Sequence, residues 1–93
     1  MSVYVDEMLP CEQSKKWPYK YACHLVADSV NELQKFAVLL GLHYSWFQNK
    51  PELPHYDLTT GMRRKAVRMG AVELNRKKFV KLMRKYRQRK TSG

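Results

Sequence analysis

Ninety-three residues make one domain near the small end of what a single core can hold together, and 44% hydrophobic content is that of a globular chain. The longest apolar run, Phe36 to Leu40, is far short of a membrane span, and the N-terminal Met-Ser-Val-Tyr-Val-Asp-Glu lacks the basic and apolar regions of a secretory signal, so the expected location is the cytoplasm. The net charge of +10 is unevenly placed: residues 1–60 carry −2 and residues 61–93 carry +12, which suits the last third of the chain to polyanions.

Val3-Tyr4-Val5 reads as a short strand ending on Asp6-Glu7. An acidic residue just after a first strand is a common place for a site residue where ligands gather at strand ends. Residues 9–20 read as loop, punctuated by Pro10 and Pro18. Trp17, Tyr19 and Tyr21 crowd its end, where they either cover a small core or stack on bases. Tyr21 to Ala27 is a second strand. Cys11 and Cys23 are too few for a disulfide framework and read as reduced thiols. Cys23 and His24 are poor partners for nucleophilic catalysis, since neighbours on a strand point to opposite faces.

Ser29-Val30-Asn31-Glu32 is a capping box, with Asp28 as a competing cap. Val30, Leu33, Ala37 and Leu40 follow at helical spacing, Phe36 widens the stripe, and Gly41 is the expected stop. Leu42 to Gln48 is aromatic-rich and reads as extended. Pro51 and Pro54 force a loop, because the residue before a proline is pushed out of the helical region. His55-Tyr56-Asp57-Leu58-Thr59 then places an imidazole, a phenol, a carboxylate and a hydroxyl together where an extended segment gives way to a helix start. Thr59 or Thr60 caps that helix, which runs to Met69 with Met62, Ala66 and Met69 inward, and Gly70 ends it. Ala71 to Leu74 is a short strand and Asn75 caps a third helix. There Phe79, Leu82, Met83 and Tyr86 form one apolar stripe, and the other faces carry Lys and Arg to Lys90. Residues 91–93 read as a frayed tail. Strands alternating with helices argue for an α/β fold: a small, mostly parallel sheet of three or four short strands with about three helices, the last basic and amphipathic.

Tyr4-Val5-Asp6, His24-Leu25 with Ala27-Asp28, Trp46-Phe47-Gln48, Pro54-His55-Tyr56-Asp57-Leu58-Thr59 and Gly70-Ala71-Val72 together resemble a family of short bacterial and phage proteins, domain of unknown function 4031. The likeness covers residues 3–74. It implies a fold unit and a bacterial or phage setting, the cytoplasm of a bacterial host cell, and no particular reaction. On this reading residues 1–74 are the family-like core, and the helix from Asn75 is an addition of this chain.

The leading functional expectation is binding of a nucleic acid or another phosphate-rich ligand. Lys50, Arg63, Arg64, Lys65, Arg68, Lys77, Lys78, Lys81, Arg84 and Lys85 are the candidate phosphate contacts. The alternative is a metal-dependent phosphoesterase or nuclease, in which Asp6, His24, Asp28, His55 and Asp57 converge at the carboxyl end of the sheet. Asp6, His24, His55 and Asp57 are then the catalytic candidates, and Asp6 and Asp57 would hold Mg²⁺ or Mn²⁺. Asp28 and Asp57 also have structural roles open to them as caps. A third reading is a phage-encoded protein that inhibits a host nucleic-acid-handling or defence system, with a host protein as partner. A membrane surface is the lesser candidate partner.

Overall fold

The computed structural model of the chain describes residues 2–51 and 53–92, of which 89–92 are described by their backbone alone. The central strand is β3 (Tyr21–Ala27), which follows β1 (Val3–Val5) and β2 (Leu9–Pro10). Cys23, Leu25 and Ala27 are buried on one face of β3, and His24 and Val26 lie on the other, as the two-residue period of a strand requires.

β1 runs antiparallel along one edge of β3, with Val5 opposite Leu25. β4 (Tyr56–Leu58) runs antiparallel along the other edge, with Tyr56 opposite Leu25 and Asp57 opposite His24. β5 (Val72–Glu73) pairs parallel with β1. β2 pairs with the start of β3, Leu9 opposite Ala22. The Asp6 N–H still bonds His24 O, so Glu7 and Met8 together face Cys23 alone. That is a bulge: the strand bends after Asp6 and re-aims its side chain. The segment expected to be loop from residue 9 therefore begins with a two-residue strand.

The sheet has five strands and is mixed, not mostly parallel: β1, β4 and β5 run one way and β3 runs against them. The cause is the first connection. Residues 6–20 hold no helix, and without a crossover element the chain returns antiparallel.

Two helices lie on the Val5–Leu25–Leu58 face. They are α1 (Val30–Leu40), with Leu33, Ala37 and Leu40 inward, and α2 (Thr60–Arg68), with Ala66 buried. Met62 and Val67 pack there too, whereas Met69, expected inward, is 38% exposed at the helix end. The opposite face is covered by α3 (Arg76–Ser92). Phe79, Leu82, Met83 and Tyr86, the stripe expected from spacing, close a second cluster with Tyr4, Val26, Leu53 and Leu74. The helix carries through Thr91 and Ser92, which had been expected to fray, and Gly93 lies outside the described residues.

The caps follow local chemistry. Ser29 Oγ accepts from the Glu32 N–H at 3.2 Å, and Gly41 closes α1 at φ +92°, a conformation that side chains disfavour. Thr59, rather than Thr60, caps α2 by accepting from the Met62 N–H. Asn75 Oδ1 accepts from the Lys78 N–H at the start of α3. Leu42 to Gln48 is not extended: Tyr44–Trp46 forms a 3-10 turn, capped by His43 Nδ1, which accepts from the Ser45 N–H. Among the described residues no helix is long and apolar enough to cross a membrane.

Candidate metal centre

Three side chains meet on the α3 face of the sheet. His24 and Asp57 are directly paired across β3 and β4, so both project from the same side. His55 stands two residues before Asp57 and therefore shares its face. The His24 and His55 rings lie edge to face, with centroids 4.9 Å apart. Each of the three residues offers a ligand atom, and these atoms all lie within 4.8 Å of one another.

The hydrogen bonds around the cluster decide which ring atoms are free. His24 Nδ1 lies 2.8 Å from Asp6 Oδ2, and a carboxylate only accepts, so this nitrogen carries the proton. His55 Nδ1 donates to the Leu53 carbonyl at 2.9 Å. In the neutral rings both Nε2 atoms are then left with lone pairs. His55 Nε2 faces Asp57 Oδ1 at 3.6 Å. Two acceptors facing each other repel unless a proton, a water or a cation stands between them.

The donor set fits a cation. Bonds of about 2.1 Å place tetrahedral ligand atoms about 3.4 Å apart, close to the observed His55–Asp57 separation. Two imidazoles and one carboxylate suit Zn²⁺ or Mn²⁺ better than Mg²⁺, which prefers oxygen and retains its waters. Three protein ligands leave coordination positions open, as in catalytic rather than structural sites.

A second layer holds these groups. Asp6, 5% exposed, binds His24 twice: Oδ2 accepts from the ring N–H and Oδ1 accepts from the backbone N–H at 2.6 Å. The bulge after β1 turns its carboxylate into that place. Arg63 Nε donates to the Asp6 carbonyl at 2.8 Å and its Nη1 reaches Glu73, which ties α2 and β5 to the same residue. Gln48 Nε2 donates to Asp57 Oδ2, and the Gln48 backbone exchanges both hydrogen bonds with His55. Phe79 of α3 stacks on His24 at 5.4 Å. Carboxylates and carbonyls behind metal-bound histidines fix the ring and raise its basicity.

The pKa shifts follow. The bond to Asp6 raises that of His24 above the ordinary value, against the opposing effect of burial. Burial lowers that of His55, with the charges of His24 and Lys50 acting in the same direction. Burial, with the Asp6 charge adding to it, pushes the Cys23 thiol up to about 12, and its side chain lies on the opposite face from His24. Cys23 is a core residue.

Four of the five expected residues thus converge, on the face of the sheet rather than beyond its strand ends. Asp28 does not join them. Its Oδ2 accepts from the Ser2 N–H and its Oδ1 from the Tyr4 hydroxyl, four residues along the strand from His24. Asp6 stands behind His24 instead of in the cluster, so the group whose geometry could hold a metal is His24, His55 and Asp57 rather than the expected Asp6 and Asp57. Asp57 lies within β4 and leaves the capping of α2 to Thr59. Gln48, Leu53 and Phe79 were not foreseen. The only sequence signal was the period of two between His55 and Asp57, visible once the segment is read as a strand.

The chain matches the family model described as protein of unknown function (DUF4031) over residues 3–86. It belongs to the DUF4031 family. The match runs past the expected residue 74 and takes in α3 from Arg76 to Tyr86. No curated protein and no solved structure matches it.

The expected phosphate contacts divide by what they touch. Arg63 is taken up by Asp6 and Glu73, and Lys65 Nζ donates to the Leu40 carbonyl at the end of α1. Lys50, Arg64 and Arg68 are exposed. So are Arg76, Lys77, Lys78, Lys81, Arg84 and Lys85 of α3, a helix without an acidic residue. The side chains of Arg89 and Lys90 lie outside the described residues.

Proposed function

We propose that this DUF4031 protein is a metal-dependent hydrolase of phosphodiester bonds in nucleic acid. The observation that carries the reading is the convergence of His24, His55 and Asp57, each histidine held through Nδ1 so that Nε2 is left to give. A Zn²⁺ or Mn²⁺ ion there would polarise a phosphoryl oxygen and acidify a water beside it. The protein residues do the rest. Asp6 and the Leu53 carbonyl orient the two rings, Gln48 orients the carboxylate, and the cations of α3 draw in the polyanion.

A second reading is supported by α3 alone: a binding module whose exposed cations hold phosphates without cleavage. One experiment separates the two. Labelled DNA and RNA are incubated with the protein in Mn²⁺ or Zn²⁺ and in EDTA, and shift and cleavage are read from the same samples. The hydrolase reading expects metal-dependent cleavage that disappears in His55→Ala and Asp57→Asn while circular dichroism stays native. A salt-sensitive shift with no cleavage under any divalent ion would leave the binding module.

A further inference from the structure

Between α1 and the candidate metal centre, the 3-10 turn holds two aromatic rings in solvent: Tyr44 is 72% and Trp46 57% exposed. This segment is not loose. His43 caps the turn, Phe47 turns inward onto Tyr56 at 5.5 Å, and Gln48 is fixed to His55 by backbone and to Asp57 by side chain. Two large rings are therefore kept in water on a braced support, at a cost that folding alone does not require. Trp46 is two residues from Gln48, so its Cα lies at most about 7 Å from the Cα of a residue bonded to the cluster.

We infer that Tyr44 and Trp46 are a stacking platform for the bases of a single-stranded nucleic acid whose backbone passes the His24–His55–Asp57 cluster. The inference deepens the hydrolase reading and rests on it for the choice of nucleic acid. The local charge agrees: no acidic residue lies between Glu32 and Glu52, while Lys35 and Lys50 stand exposed on either side of the turn. Lys50 is close enough to His55 for its charge to be felt there. A duplex keeps its base faces inside the stack and cannot offer them to Trp46 without unpairing. A single strand offers a ring face at every base and so binds such platforms whatever its sequence. Trp17 makes a poor second platform. It is half-buried, packs edge-on against Tyr19, and has its indole N–H facing the Tyr21 carbonyl. Val38 and Leu39 of α1 are exposed as well, so a second copy of the chain is the rival occupant.

The test is made in EDTA, so that binding is read without cleavage. Trp17→Phe leaves Trp46 as the sole tryptophan. Titration with a single-stranded oligothymidylate should quench its emission, and a duplex of equal length should not. Separately, anisotropy of the labelled oligonucleotide in the otherwise unchanged chain should show Trp46→Ala weakening single-strand binding about ten-fold or more, within the range for loss of one stacked base. Duplex affinity should not change. Equal single-strand binding by Trp46→Ala, or binding without quenching, overturns the inference. So does sedimentation showing a dimer that Trp46→Ala dissociates while oligonucleotide binding persists. Metal-dependent cleavage that keeps its full rate on single strands in Trp46→Ala would sink the platform and spare the hydrolase. Absence of cleavage with the quenching intact would do the reverse.

Discussion

If His24, His55 and Asp57 bind a divalent ion in the folded chain only, that ion must raise the melting temperature. Free ligand at one hundred times its Kd stabilises the native state by about 2.7 kcal/mol. For 93 residues, unfolding entropy near the midpoint is about 0.2 kcal/mol per kelvin, so the shift is about 14 °C. Binding of the ion to histidines of the unfolded chain would reduce it. The assay is thermal unfolding by circular dichroism, first in EDTA and then with Zn²⁺ or Mn²⁺. His55→Ala and Asp57→Asn should each remove most of the shift. Asp6→Asn should leave part of it, because loss of a group behind a ligand costs about ten- to one-hundred-fold in affinity, or about 7–12 °C of the shift at the same ion concentration. The reasoning fails if no divalent ion moves the wild-type midpoint by more than a degree or two, or if the shift survives in both ligand variants.

Further measurements address other parts of the structure. Without metal, NMR titration should place the His24 pKa above the ordinary value and that of His55 below it. By linkage, the His24–Asp6 pair adds stability that is fully present below about pH 6.5 and is lost as pH rises through the raised value. His55 opposes this: its depressed value makes the fold lose stability as pH falls below about 6.5, and equality of the two values would contradict the geometry. A thiol reagent at pH 8 should modify Cys11, which is exposed, and reach Cys23 only in denaturant; two fast thiols in the native protein would refute the burial of Cys23. Gly41→Ala meets open space but keeps a positive φ, so urea unfolding should show a loss of about 1 kcal/mol from strain alone. In the combined Lys81→Ala, Arg84→Ala and Lys85→Ala variant, the slope of log affinity against log salt should fall by about 2–3 if those side chains contact phosphates.

Helices were legible in this sequence because their ends are closed by residues within a few positions. Ser29, Gly41, Thr59, Gly70 and Asn75 act locally, and each stands at an observed helix end. Strand direction was not legible. Nothing within residues 6–20 announces an antiparallel return, and the bulge at Glu7 and Met8 has no glycine to mark it. The expected parallel sheet carried an error into the site, because it sent Asp28 to the same strand ends as Asp6. In the observed sheet β3 opposes β1, so the residue after β3 lies beside the start of β1, next to Ser2 and Tyr4. His55 and Asp57 were singled out in an extended segment before a helix start, but not as part of a strand of the sheet. The pairing that puts Asp57 in the sheet comes from His24, more than thirty residues upstream by the numbering, and the Gln48 bridge to His55 comes from seven residues upstream, beyond two prolines.

The one antiparallel strand is what makes the cluster possible. In a sheet whose helices all follow parallel crossovers, both faces of a central strand are covered by apolar packing, and a histidine in mid-strand has no polar neighbour to justify its burial. Here β3 gives one face to the core through Cys23, Leu25 and Ala27, and Val26 packs into the second cluster on the other. His24 lies on that second face, between Ala22 and Val26. Its neighbours across both edges are polar for reasons of register: Asp57 opposite it on β4, and Asp6 at the last paired position before the bulge on β1. Moving β4 by one residue would put Tyr56 or Leu58 opposite His24, and moving β1 so that Val5 took the place of Asp6 would leave the half-buried imidazole without its carboxylate. The same register that buries Leu25 between Val5 and Tyr56 therefore sets Asp6 behind His24 and Asp57 beside it. Deletion of Glu7 would leave Met8 alone opposite Cys23 and remove the bulge while Val5 stays opposite Leu25, so the core should keep its packing, but the Asp6 carboxylate should lose its aim, read as a fall of the His24 pKa toward its ordinary value; an unchanged His24 pKa would show that the bulge does not set that bond.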